Sequence, residues 1–415
     1  MTEEKTVNLS ELDWGNELTF PSSRKLSKTP HLIGGRYPCR SVAYVPRMIL
    51  EQHSGENENL TVLDPFMGSG TTAIEASRFS REIFGIEVDP YARLIATVSS
   101  RKYSDRDIRA MEKLLVEIIK VSPKQKIDDE LMPSLHNIDY WFNEDNFREL
   151  LKLKTSIFEI TPKGKFRDFF LAAFSDIIRA ASKAERQSLK PYISKKYKKI
   201  PKPAIDEFKR IAPKYIDAIR SSSEQICPGI TWVGDNATSF SFSPNIDIAI
   251  TSPPYINAMD YTRCIKLESA WVGTGDDKKI KSIKSAQLGE ATRRHRELID
   301  SKSFELAEEN FHALAQLDRI RFDTLLAYFD DMQKNLECTY RALKPGGAYY
   351  IIIGNSRVRG IEIRTHELLA KLAEHVGFTW SGYFRYPIKD HRTSIPRGTQ
   401  GGKIETEHVI KLQKA

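Results

Sequence analysis

The residues with the clearest chemical potential lie near the middle of the chain, in Asp247-Ile-Ala-Ile-Thr-Ser-Pro-Pro-Tyr255. Ile248, Ala249 and Ile250 form a short apolar run suited to a buried parallel strand. Pro253 and Pro254 donate no backbone hydrogen bond and cannot continue a central strand, so the chain must leave the sheet in a stiff, extended turn. Such a turn sets the Ser252 hydroxyl, unpaired carbonyls and the Tyr255 ring at the carboxyl end of a strand, where open α/β sheets bind ligands. A hydroxyl beside a fixed carbonyl can accept from an exocyclic NH2 group, and an aromatic ring next to them can stack on a base taken out of its helix.

Other turns must stand beside this one for chemistry to follow. Residues 59–64 read as a buried strand running into Asp64-Pro-Phe-Met-Gly-Ser-Gly-Thr-Thr72, and a helix follows with Ala73, Ile74, Ala76 and Phe79 available for its packed face. Strand, Gly-rich turn and helix make the first unit of a Rossmann-like sheet, with Gly68 and Gly70 allowing close backbone approach to a ligand. The turn is not GxGxxG, and no lysine follows it as in a P-loop, so neither NAD nor a nucleoside triphosphate is favoured. A second short strand, 83–89, carries Glu87, an acid about twenty residues beyond the turn and placed to accept from ribose hydroxyls. Residues 230–237 restart the sheet and end in a Gly-Asp-Asn turn. The fourth turn follows about a dozen residues later, a separation suited to a crossover between adjacent strands.

Together these stretches resemble the amino-methylating DNA methyltransferases that use S-adenosylmethionine. DPFMGSGTT is similar to motif I of that family, the segment at Glu87 to motif II, GDN to motif III and SPPY to motif IV; the serine form of the last resembles the cytosine-N4 group. The resemblance implies a Rossmann-like class I methyltransferase sheet, α/β and mostly parallel with an antiparallel last strand, carrying a large helical insertion. It implies a cofactor site of Asp64, Pro65, Phe66, Gly68, Gly70, Thr71, Thr72, Glu87, Asp235 and Asn236, in which Asp235 would bind the adenine amino group. Ser252, Pro253, Pro254 and Tyr255 become the catalytic residues, acting on a flipped cytosine by direct methyl transfer with no cysteine nucleophile and no metal. Tyr37, Pro38 and Arg40 stand where motif X of the family packs on the cofactor. Adenine N6 as the target, an RNA substrate, and a catalytically silent DNA-binding subunit are the alternatives. A large insert between motifs II and III is unusual for the family and leaves the position of target recognition open.

The rest of the chain fits this frame. Three parts are expected: 1–102, a polar N-terminal arm and the first half of the catalytic domain; 103–228, a helical basic insertion; and 229–415, the second half. Within the insertion, Asp105 to Val121, Asn146–Ile160, Phe166–Arg186 and Ala204–Ser221 read as helices. Residues 186–220 hold eleven Lys and Arg against three Asp and Glu, an excess equal to the whole chain's net charge of +8. Tyr192 and Tyr197 are interleaved with these lysines, a pattern suited to phosphate contacts and base stacking. Lys195, Lys196, Lys198 and Lys199 are therefore candidate DNA contacts, together with Arg392 and Arg397 in the Gly-containing loop 389–403. A charged stretch, 276–322, containing Arg293, Arg294, His295 and Arg296, reads as helix with a solvated face. Leu325–Leu343 reads as a helix stopped by Lys344-Pro-Gly-Gly347, followed by strands at 348–353, 378–387 and 407–412, the last two paired antiparallel. The four cysteines form no CxxC pair and suggest reduced thiols. No signal peptide or membrane-spanning run is evident, so the expected setting is cytoplasmic, with double-stranded DNA as partner and a cognate restriction endonuclease as a possible companion.

Overall fold

A computed structural model of the chain describes residues 15–22, 26, 28–35, 37–55, 59–222, 225–241, 245–256, 260–275, 277–288, 309–389 and 404–415. Short aliphatic runs supply the central sheet: β1 (Leu60–Asp64), β2 (Ser80–Ile86), β3 (Ile230–Gly234), β4 (Ile246–Thr251) and β5 (Leu343–Gly354). β6 (Ser356–Val358) and β7 (Ile361–Ile363) form a separate hairpin, and β8 (Phe378–Pro387) and β9 (Thr406–Lys414) complete the sheet in the order β3-β2-β1-β4-β5-β9-β8. β1 to β5 pair in parallel, whereas β9 runs antiparallel between β5 and β8. This is the Rossmann-like methyltransferase sheet that the sequence implied. The strand order turns back between β1 and β4, the switch point at which open α/β sheets form a crevice.

Alternation along the central strands divides two cores. Val62, Ile248, Ile250, Tyr350 and Ile352 face α1 (Tyr44–Ser54) and α2 (Thr71–Ala76). Leu63, Ala249, Tyr349, Ile351 and Ile353 face the opposite layer, which holds Phe329, Met332 and Leu369. A one-residue slip of any strand would exchange these sets, so the pattern fixes the register. At the far edge, Gly15 and Leu18 donate to the Tyr383 and Arg385 carbonyls, and Arg385 donates to Asn16, which covers β8.

The expected crossover between adjacent strands after the Gly-Asp-Asn turn is not what forms. β3 lies at the sheet edge against β2, and the chain passes beyond β2 and β1 before entering as β4. Eleven residues, 235–245, link the two strands, and an extended chain of that length reaches about 35 Å, enough to cross them. Sequence separation alone cannot distinguish a step of one strand from a step of three. β5 also begins earlier than expected, at Leu343, pairing with Ile246 and resuming its register at Ala348 after an irregularity.

Between β2 and β3 the sheet is interrupted by α3 (Pro90–Ser100), α4 (Asp105–Val121), α5 (Glu144–Ile160), α6 (Lys165–Ala181) and α7 (Ala204–Arg220). A capping box at Ser104 and Asp107 starts α4. These helices share one core, to which Tyr91, Ala92, Ile95 and Val98 of α3 and Leu267 and Trp271 of α8 (Lys266–Val272) contribute, so the segment between β2 and β3 is packed onto the segment that follows β4. Arg179 of α6 is the polar link: it lies 3.3 Å from Glu268 and donates to the Cys264 carbonyl at 2.8 Å, both groups buried. Among the described residues, no helix is long and apolar enough to cross a membrane.

Candidate active site

The carboxyl ends of β1, β2, β3 and β4 open into a cavity of about 430 Å³, within the range of small-molecule and cofactor sites. Its walls come from the turn after β1 (Asp64 to Ser69, Thr71, Thr72), the end of β2 (Ile86 to Val88), the turn after β3 (Asp235 to Thr238) and the turn after β4 (Ser252, Pro254). Four stretches singled out in the sequence therefore meet in one place.

The first turn needs its glycines for two different reasons. Gly68 has φ +51 and Gly70 φ +86, the left-handed region that costs an L side chain energy. A Cβ on Gly68 would meet nothing closer than Tyr37 at 3.8 Å, across the cavity, so conformation alone selects glycine there. A Cβ on Gly70 would come within 2.8 Å of the Ala96 backbone of α3. Gly70 thus faces away from the cavity, and its work is to seat the turn against that helix.

Three carboxyl groups surround this turn. Asp64 is buried, and burial raises its pKa to about 6, against the pull of hydrogen bonds from Thr251, Thr72 and the Phe66 amide. Glu87 accepts from the amides of Gly68 at 2.7 Å and Asp89 at 2.9 Å, which ties the first turn to the second. It is partly exposed to the cavity, yet enclosed enough that desolvation, reinforced by the Asp89 charge, raises its pKa to about 7. Asp89 caps α3 by accepting from the Tyr91 amide, and burial holds its carboxyl near 6. Asn236 spends its side-chain oxygen on the Thr238 amide and hydroxyl, closing the third turn on itself, while Asp235 lines the cavity. Arg93 supports that turn from behind by donating to the Gly234 carbonyl at 3.0 Å while lying over the Trp232 ring.

Not every expected residue faces the cavity. Ser252 and Pro254 line it; Pro253 and Tyr255 do not. The Tyr255 hydroxyl instead donates to Glu407 of β9. Tyr37 and Arg40 reach the lining and Pro38 does not. The Arg40 guanidinium is turned toward the His31 and Ile33 carbonyls, which folds the preceding arm over the site. Sequence reasoning missed Cys39, Tyr261 and one wall of the cavity, Ser282, Ile283, Ala286, Gln287 and Leu288 at the end of α9 (Asp277–Ala286). The available signal was Ser282 and Ala286, small residues four apart on one helix face.

Of the expected DNA contacts, Lys195, Lys196 and Lys198 are exposed, beside Tyr197 at 68% and Ile200 at 87% exposure. Lys199 is differently employed: its ammonium donates to the carbonyls of Arg179, Ser182 and Ala184 at 2.5, 2.7 and 2.8 Å, satisfying the end of α6. On α7 the basic residues are largely ion-paired, Lys209 with Asp206, Arg210 with Glu207 and Arg220 with Asp217 and Glu112. The local charge excess is therefore concentrated on the strap between α6 and α7. Arg392, Arg397 and the 293–296 cluster lie outside the described residues.

Comparison with known proteins agrees with this geometry. The sequence model of the DNA methylase family matches residues 5–97, which include the first Gly-rich turn and Glu87. The chain is similar to Type II methyltransferase M.MvaI of Kocuria varians, 23% identical over 85% of this chain and 83% of the relative. It is similar to Type II methyltransferase M.AvaI of Nostoc sp., 26% identical over 90% and 84%, and to M.BsoBI of Geobacillus stearothermophilus, 24% identical over 88% and 81%. These likenesses support a reading of the chain as one of the amino-methylating DNA methyltransferases. Their methyl donor is S-adenosylmethionine. The cavity suits that cofactor: an acid-lined wall of Asp64, Glu87 and Asp235 complements a sulfonium cation and offers acceptors to hydroxyl and amino groups, while Phe66, Ile86 and Leu288 supply apolar surface.

Proposed function

We propose that this methyltransferase acts at specific sites in double-stranded DNA, on the N4 amine of a flipped cytosine, in a restriction-modification setting with a cognate endonuclease. The observation that carries the reading is the meeting of Ser252 and Pro254 with the Asp64–Thr72 turn, Glu87 and Asp235 around one cavity. When bound there, S-adenosylmethionine supplies a methyl group already activated by its sulfonium. Asp64 to Thr72 would hold the cofactor's amino-acid end, Glu87 its ribose and Asp235 its adenine amino group, with Asn236 at the ring. Ser252 and the Pro253 carbonyl accept from the N4 amine and turn its lone pair toward the methyl carbon. Alignment of this kind carries much of the rate. The resemblance gives the Tyr255 ring the role of stacking on the flipped base.

Cytosine N4 is preferred to adenine N6 because a neutral hydroxyl stands first in the SPPY turn. The two amines have the same donor geometry, so the preference rests on the resemblance to the cytosine-N4 group. The strap between α6 and α7 supplies phosphate contacts through Lys195, Lys196 and Lys198, with Tyr192 and Tyr197 as stacking faces. The test is to methylate DNA with the purified protein and labelled cofactor, digest it to nucleosides and identify the product by mass spectrometry. N4-methylcytosine is expected; N6-methyladenine as the only product would overturn the base assignment, and no labelled nucleoside would overturn the activity.

A further inference from the structure

Glu407 is absent from every motif, yet it is the residue that holds the last member of SPPY. It sits on β9, is buried, and accepts from two tyrosine hydroxyls at once: Tyr255 donates to Oε1 and Tyr386 to Oε2. The register brings this about. Glu407 pairs with Gly354 of β5 on one side and with Tyr386 of β8 on the other, at the same end of the sheet from which β4 releases the SPPY turn. Phe20, from the arm that covers β8, packs edge-on against Tyr386 at 5.2 Å and closes the far side. An ionised carboxylate is an acceptor on both oxygens, so one side chain can hold two hydroxyl donors in fixed directions.

We propose, on the functional reading above, that Glu407 is a positioning residue for methyl transfer: by holding the Tyr255 hydroxyl it fixes the ring and the Ser252–Pro254 turn that presents acceptors to the target amine. The turn is anchored at its start by the Thr251 hydroxyl on Asp64. Its prolines donate nothing to the sheet. Tyr255 is its exit, and the Tyr255 ring rests against the core formed by Phe329, Ile353 and Ile410. The Glu407 contact sets the rotation of that ring, and with it the direction of the Pro253 and Pro254 carbonyls. Burial raises the Glu407 pKa, while the two tyrosine hydroxyls oppose the shift by stabilising the charged form.

The purified full chain tests this with Tyr255→Phe, Glu407→Gln and the double variant. Tyr255→Phe keeps the stacking face and removes only the oxygen held by Glu407; Glu407→Gln has one acceptor where two are needed. Each single change should lower the single-turnover methylation rate at saturating cofactor and DNA by about ten- to hundredfold, the scale of a small misplacement of reacting groups. Cofactor affinity by calorimetry should stay within about twofold, and the double variant should be no slower than the slower single, as for two ends of one contact. Hydrogen exchange of the unliganded protein gives a reading independent of activity: amides in 251–256 should exchange about tenfold faster in both variants, with β1 unchanged. Wild-type turnover by Tyr255→Phe, losses that multiply in the double variant, or unaltered exchange at 251–256 would each overturn the proposal. If Glu407→Gln does not fold, Tyr255→Phe alone decides. Loosened exchange in a protein whose wild type transfers no methyl group would sustain the contact and sink the functional reading instead.

Discussion

The hydroxyl of Thr251 donates to Oδ1 of Asp64 across 2.5 Å, joining the last residue of β4 to the last residue of β1. Both groups are buried, and the bond lies where the strand order reverses. The turn that faces the cofactor and the turn that faces the target thus leave the sheet from one hydrogen-bonded point. A shift of either strand end would move the two reaction partners relative to each other.

Thr251→Val keeps the shape of the side chain and removes the donor. Loss of a buried partner typically costs ~1–3 kcal/mol. Asp64 should rise further above the usual carboxylate range, since one of the bonds that hold its pKa down is gone. Urea denaturation at pH 7.5 should show the loss of stability, and calorimetry should show weaker S-adenosylmethionine binding. Unchanged values in both measurements would mean that the strand ends are held by pairing alone.

Gly68 and Gly70 should fail differently. Gly68→Asp places a side chain and a charge on the cavity side of the turn, in a left-handed conformation, and should abolish cofactor binding while the fold survives. Gly70→Ala drives a methyl group into the Ala96 backbone, so it should lower the melting temperature as well. Calorimetry and thermal melts on the two variants separate these outcomes; equal melting temperatures would refute the seating role of Gly70.

The raised pKa of Glu87 sets a pH dependence with a defined sign. Its folded value of about 7 lies above that of an unfolded glutamate near 4.5, so the free protein retains a proton that the unfolded chain has lost. Stability of the cofactor-free protein should therefore be greatest below pH 4.5, as far as this group is concerned, and fall as pH rises to about 7. Asp64 and Asp89, both near 6, add to the lower part of that fall. S-adenosylmethionine binding should strengthen from pH 6 to 8 with proton release, because the ionised carboxylate is the better acceptor for ribose hydroxyls. Glu87→Gln should flatten the upper part of both profiles, as read by denaturation and by calorimetry in buffers of different ionisation enthalpy. A profile identical to wild type would assign the effect to other groups.

What was legible in the sequence was local. The aliphatic run before Asp64 and the glycines after it specify a strand and a turn from neighbouring residues alone. So do the stops at Pro253 and at Gly377, whose φ of +113 ends α10 (Thr365–Val376) in a left-handed cap. What was not legible depends on distant pairing. Nothing near Glu407 announces that it will receive Tyr255 from 152 positions earlier. The wall made by α9 leaves only the spacing of Ser282 and Ala286 as a trace, since those residues gain their role only when that helix packs over the turns. The position of β3 at the sheet edge is decided by which strand it pairs with, and a hydrophobic pattern carries no such label.

The basic strap shows how the structure divides residues that look equivalent in sequence, and it yields the last prediction. Lys195, Lys196 and Lys198 are exposed on it, whereas the Lys199 ammonium is directed inward to three carbonyls at the end of α6. The strap is held by that contact, by the Lys202 amide on the Ala180 carbonyl, and by Arg179, which donates to Ser188 and Leu189 as well as to Cys264. Cys264 lies three residues after Tyr261, which lines the cavity, so the strap is tied to the wall of the active site. Changing Lys195, Lys196 and Lys198 together to Ala should weaken DNA binding and reduce the salt dependence by a slope of roughly one per lost phosphate contact, with the melting temperature unchanged. Lys199→Ala should do the reverse, lowering the melting temperature by removing the donor shared by three carbonyls, of which Arg179's keeps a bond from the Ser182 hydroxyl, and leaving the salt slope nearly intact. Binding isotherms from about 50 to 200 mM salt, beside thermal melts, separate the two. If the triple variant keeps the wild-type slope, the strap is a solvated loop and DNA is held by another face.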